Sequence, residues 1–115
     1  MSKNKDLGQE GEQLAAEYLK ERGYSLLARN YRVGRREIDI IASKENVLAF
    51  VEVKTRVNTR YGMPEEAVDD RKAEMIMYVA EQYLSCHDWP GRIRFDIIAI
   101  IKNRNLEIEH FKDAF

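Results

Sequence analysis

Residues 47–54, Val-Leu-Ala-Phe-Val-Glu-Val-Lys, constrain the fold more than any other stretch of this chain. Side chains alternate across a β-strand, so Val47, Ala49, Val51 and Val53 take one face while Leu48 and Phe50 take the other. A strand apolar on both faces belongs in the middle of a sheet covered on both sides. The same parity puts Glu52 and Lys54 together on the Leu48–Phe50 face. Burying such charges costs roughly several kcal/mol each unless a partner or a metal takes them up.

The flanking sequence supplies the rest of the sheet and its covers. Residues 6–22 read as an amphipathic helix with Leu7, Gly11, Leu14, Tyr18 and Leu19 at helical spacing, Asp6 as N-cap and Gly23 as stop. Strands are expected at 24–31, 37–43, 93–101 and 106–111, beside 47–54. Lys44-Glu45-Asn46 reads as the turn of a hairpin. Pro64, followed by Glu65 and Glu66, opens a second helix over 65–86, with Ala67, Val68, Ile76, Val79, Ala80 and Tyr83 on its apolar face. That helix is long enough for a parallel crossover between strands 47–54 and 93–101. The expected architecture is an α/β/α sandwich around a mixed five-stranded sheet, in the order α-β-β-β-α-β-β.

Bulk properties narrow the function classes. A chain of 115 residues makes one domain, 1–115, and its 44% hydrophobic content excludes a disordered polymer. No apolar run reaches the ~18 residues of a membrane span. The start, Met-Ser-Lys-Asn-Lys-Asp, has no apolar signal region, and the lone Cys86 suits a reducing compartment, so a cytoplasmic protein is expected. The net charge of −1 argues against coating nucleic acid by charge alone. Basic residues are nonetheless clustered: Arg29, Arg32, Arg35 and Arg36, then Lys54, Arg56 and Arg60.

The chemistry concentrates on three residues. Glu37, Asp39 and Ile41 share one face of strand 37–43, and Ile38 and Ile40 share the other. A hairpin register that aligns the faces brings Asp39 to Glu52, with Lys54 beside them. Two adjacent carboxylates repel, and a divalent cation relieves them. All-oxygen ligands favour Mg²⁺ or Mn²⁺ over zinc. An ion of that kind makes water a nucleophile toward a phosphodiester, and Lys54 can orient that water, help it lose a proton or steady the charge on phosphorus. The competing reading is a buried salt bridge to Lys54. Glu12 lies at the edge of the first helix's apolar face, and Gly8 and Gly11 are costly in a helix unless something approaches closely.

Asp39 followed by Glu52-x-Lys54 resembles the PD-(D/E)xK nuclease signature, and the glutamate on the first helix is similar to the archaeal Holliday-junction resolvase branch. The whole chain resembles the YraN family of small bacterial proteins. Gly8-x-x-Gly11-Glu12, Gly23-Tyr24, Arg29-Asn30-Tyr31-Arg32, Glu37-Ile38-Asp39-Ile40-Ile41-Ala42, Phe50-Val51-Glu52-Val53-Lys54-x-Arg56, Lys72, Arg94-Phe95-Asp96 and Ala114-Phe115 carry the match, in order. The resemblance implies a restriction-endonuclease-like fold. It also implies a Mg²⁺ site at Asp39, Glu52 and the Val53 carbonyl, with Lys54 as catalytic lysine and Glu12 as accessory acid. One departure is visible: Arg36 stands where the family usually has glycine.

The expected function is a metal-dependent endonuclease acting on branched or single-stranded DNA. The alternative is a non-catalytic nucleic-acid- or protein-binding module on the same fold. Arg29, Arg32, Arg36, Arg56 and Arg60 are the candidate phosphate contacts. Tyr31 is a lesser candidate for stacking on a base, and Lys72 is read as solvated. Cutting both strands of a junction calls for two sites, which a homodimer supplies.

Overall fold

The computed structural model describes residues 3–56 and 69–115. Its elements are α1 (Lys3–Glu21), β1 (Ser25–Val33), β2 (Arg36–Lys44), β3 (Val47–Arg56), α2 (Asp70–Cys86), β4 (Arg92–Lys102) and β5 (Leu106–Phe111). The strands form one mixed sheet in the order β1-β2-β3-β4-β5. Among the described strands only the β3–β4 pair is parallel, and α2 lies between those strands in the chain.

The central position of β3 follows from its two apolar faces. Ala49 and Val51 pack with Ala15, Ala16 and Leu19 of α1, while Leu48 and Phe50 pack with Ile76, Val79, Ala80 and Tyr83 of α2. Phe50 stacks on Phe95 with 5.6 Å between ring centroids and meets Tyr83 edge-on. Each such fully buried side chain contributes about 1.5–3 kcal/mol. The expected α/β sandwich is therefore the observed one, with one core on each side of the sheet.

Three local expectations change. Asp6 lies inside α1, which begins at Lys3, so it is not the N-cap. Helix α2 begins at Asp70, where Asp69 caps it by accepting from the Lys72 N–H at 2.9 Å. Arg60, Pro64, Glu65, Glu66, Ala67 and Val68 lie outside the described residues. Finally, Ile38 packs on the α2 side and Ile40 on the α1 side, so they do not share a face. Strand β2 reverses its faces at Asp39, the residue between them.

A second buried polar network lies on the α1 side of β4. Asp96, fully buried, accepts two bonds from Arg94 at 2.8 Å, one from His110 Nε2 at 2.7 Å and one from the Asp113 N–H at 3.0 Å. Arg94 also donates to the Tyr24 hydroxyl at 2.7 Å. Burial pushes the Asp96 carboxyl up, but the bonds from His110, Arg94 and Asp113 together outweigh it and hold the group below its ordinary value. Asp96 is thus spoken for by a structural network on β4 and β5 and does not join the Asp39 carboxylate.

Candidate functional site

The two-residue turn Glu45-Asn46 joins β2 to β3 and sets their register, from Lys44–Val47 to Ile40–Val51. Continued by one step, that register sets Asp39 opposite Glu52. The ladder instead ends at Ile40–Val51, and Asp39 Oδ2 accepts from the Val53 N–H at 2.8 Å. A residue's N–H and C=O point to the same side of its strand, so the Val53 carbonyl also faces the opening between β2 and β3.

A kink in β1 accompanies that fork. Asn30 lies between the pairs Arg29–Ile40 and Tyr31–Ile38, across from Asp39, and has φ of 51°. Asparagine enters this left-handed region more readily than most residues. Turned so that its nitrogen faces the acids, the Asn30 amide donates to Glu37 at 2.7 Å and to Glu12 at 3.1 Å.

Helix α1 brings Glu12 to the same place. Gly11 packs so tightly on the Thr55 hydroxyl that a Cβ there would overlap it. The missing side chain lets the helix settle on β3, and Glu12 follows to the sheet's fork. One oxygen each from Glu12, Glu37 and Asp39 lies within 4.8 Å of the others. From the opposite side, Glu52 is bracketed by two lysines, Lys54 at 3.3 Å and Lys72 of α2 at 2.7 Å. Acids from both layers therefore converge where β2 parts from β3.

Electrostatics reflect that crowding. Burial, and then the Glu52 charge, push Asp39 up to about 7 against the pull of the Val53 N–H. Burial draws Lys54 below the ordinary lysine value; Glu52 opposes the shift and Lys72 adds to it. Lys72 is also disfavoured by burial, but its bond to Glu52 outweighs this and leaves it raised. The donors suit a hard divalent cation: carboxylate oxygens in a half-buried cleft, mutually repelling, with a backbone carbonyl facing in.

Among the described residues, the basic side chains read from the sequence are held by different partners. Arg29 donates to Gln13 of α1 at 2.9 Å, and Arg32 pairs with Glu37 at 2.8 Å. Arg36 instead lies over the Tyr78 ring of α2, on the other layer. Arg56 donates to the neighbouring Thr55 carbonyl at 3.0 Å. Tyr31 meets Tyr83 edge-on at 5.2 Å and packs against the α2-side core, a core role in place of base stacking.

Lys72 corrects the solvated reading, since its ammonium reaches a carboxylate that is largely shielded from water. Sequence reasoning also missed Asn30 and Glu37 as neighbours of Asp39. The parity of Glu37 with Asp39 was the available signal for one. The other depends on a kink that no pattern announced.

Fold and site define a small mixed α/β protein with an acidic, lysine-bracketed cleft at the edge of its central parallel pair. Residues 11–100 match the family described as "Uncharacterised protein family UPF0102". A UPF0102 protein of Flavobacterium psychrophilum is 45% identical over all of this chain and 98% of its own length. One from Bacteroides thetaiotaomicron is 46% identical over all of this chain and 96% of its own, and one from Chlorobaculum parvum 48% over 95% and 91%. The chain belongs to the UPF0102, or YraN, family. Among the described residues no helix is long and apolar enough to cross a membrane.

Proposed function

We propose that this protein is a metal-dependent endonuclease that hydrolyses phosphodiesters in branched or non-duplex DNA. The observation that carries the reading is the cluster of Glu12, Glu37 and Asp39 at the fork of β2 and β3, with Glu52, paired to Lys54, near enough for its charge to raise Asp39. Asp39, Glu52 and the Val53 carbonyl would hold Mg²⁺ or Mn²⁺, and Glu12 is the accessory acid. When bound, such an ion supplies Lewis acidity toward a phosphoryl oxygen and toward water.

The chain's own side chains do the remaining work. Lys54 is pressed toward its neutral amine by burial and by Lys72, so it is suited to accept the proton of the attacking water. Attack on phosphorus opposite the leaving oxygen gathers negative charge on the equatorial oxygens. Lys72, which keeps its proton, is suited to donate to them. Asn30 and Val53 hold the acids in orientation through their N–H groups.

The test is incubation of purified protein with junction, flap, single-stranded and duplex DNA in Mg²⁺ or Mn²⁺. Cleavage of a branched or single-stranded substrate is expected, reduced about a hundredfold or more by Glu52→Ala. Cleavage that survives Glu52→Ala, or none on any substrate, defeats the proposal. The Glu52 bridges to Lys54 and Lys72 favour one second reading, a binding module in which the charged trio is structural. It predicts DNA binding that persists without Asp39 and Glu52 and weakens with salt.

A further inference from the structure

A groove of about 680 Å³ lies beside the first turns of α2, lined among the described residues by Arg36, Asp69, Arg71, Lys72, Glu74 and Met75. Lys72, in that lining, also touches Glu52. Arg36 also lines a second hollow, with Arg35 and Tyr78, and so stands between the two. Among the described residues Arg35, Arg36 and Arg71 bring three positive charges, beside a Lys72 already paired with Glu52, against the two of Asp69 and Glu74. Asp69 is further committed to capping α2.

Tyr78 gives the groove a second chemistry. It is a large aromatic left 41% exposed, and the Arg36 guanidinium lies over its ring, 4.6 Å from the centroid. Guanidinium planes and aromatic faces both accept stacked bases. Cations spaced along a groove with an exposed ring on its path are the elements of a single-strand track, because every base presents a π-face. A duplex keeps its bases stacked on one another and leaves Tyr78 nothing to receive.

We infer that the Arg36–Tyr78 stack and the groove from it to Lys72 form a binding track for single-stranded DNA, guiding an unpaired strand toward Glu52. The inference deepens the nuclease reading and rests on it only for where the strand leads.

Fluorescence anisotropy with labelled oligo(dT), oligo(U) and a blunt duplex, in EDTA and over a range of salt, tests it. Tyr78→Ala and Arg36→Gly are each expected to weaken oligo(dT) binding roughly tenfold, the scale of one lost base stack. Tyr78→Phe keeps the ring and is expected to keep the affinity, while duplex binding falls much less. Melting curves verify that each variant is folded. Unchanged oligo(dT) affinity in Tyr78→Ala, equal losses on single strand and duplex, or tighter binding of oligo(U) than oligo(dT) overturns the inference. Because the assay is metal-free and is repeated in Glu52→Ala, its outcome is separate from cleavage. A chain that cuts normally with Tyr78→Ala defeats the track alone, and a chain that never cuts but loses oligo(dT) binding with Tyr78→Ala defeats the nuclease reading alone.

Discussion

Asp39 concentrates the tension of the site in one carboxyl. Burial and the Glu52 charge raise it from 3.8 to about 7, so folding favours its protonated form. The stability this proton contributes is complete below about pH 4 and is lost as pH rises through about 7. An asparagine has no proton to lose and still offers an oxygen to the Val53 N–H. In EDTA, Asp39→Asn should therefore be more stable than the parent at about pH 8, by about 2 kcal/mol after allowance for partial solvent screening, with little difference near pH 4. Chemical denaturation of both proteins across that range measures it. Parallel pH profiles would show that the carboxyl is not strained. A stability gain on removing a charged residue marks a group kept for something other than folding.

At the scale of elements, the placing of α1 depends on one absent side chain. Gly11 costs the helix about 1 kcal/mol relative to alanine, so Gly11→Ala would stabilise a free helix. Against β3 the added methyl meets the Thr55 hydroxyl and forces the helix outward, taking Glu12 with it. Gly11→Ala is expected to cost about 1–3 kcal/mol and to weaken Mn²⁺ binding. Thr55→Ala in the same chain removes the obstructing hydroxyl, and the double variant should recover most of both losses. Failure of that rescue, read by melting and calorimetry, would mean that the close approach does not set the position of Glu12. The same contact shows where sequence reasoning reaches its limit. Periodicity places Gly11 on the inner face of a helix, and the hairpin expected at Lys44-Glu45-Asn46 is present as the β2–β3 pair, whose ladder ends one step before Asp39 and Glu52. Parity held along β3, which is regular, so Glu52 and Lys54 were correctly paired. It failed along β2, because the left-handed turn at Asn30 on the neighbouring strand accompanies a reversal of faces at Asp39. Lys72 was not legible either, since the reach of a helix residue to a strand depends on how the layers pack.

At the scale of the molecule, the two networks divide the labour of the sheet. Asp96, held by Arg94, His110 and the Asp113 N–H, gathers β4, β5 and the segment after them into a satisfied hub. Among the described residues, Glu12 and Glu37 share the Asn30 amide, Asp39 accepts from the Val53 N–H, and Glu37 pairs with Arg32. A cation held by Asp39 and Glu52 would relieve a repulsion between them that the unfolded chain does not carry, so its binding should stabilise the fold. At a free ion concentration about a hundredfold above Kd, linkage gives about 2.7 kcal/mol, or a rise in Tm of the order of 10 °C for a domain of this size. Scanning calorimetry with Mn²⁺ near pH 8 measures the rise, and EDTA should reverse it. Asp39→Ala should abolish it. Glu10→Ala, which removes an exposed carboxylate paired with Lys102, should leave it unchanged. Equal shifts in all three proteins would assign the ion to the general surface and take the metal out of the proposed chemistry.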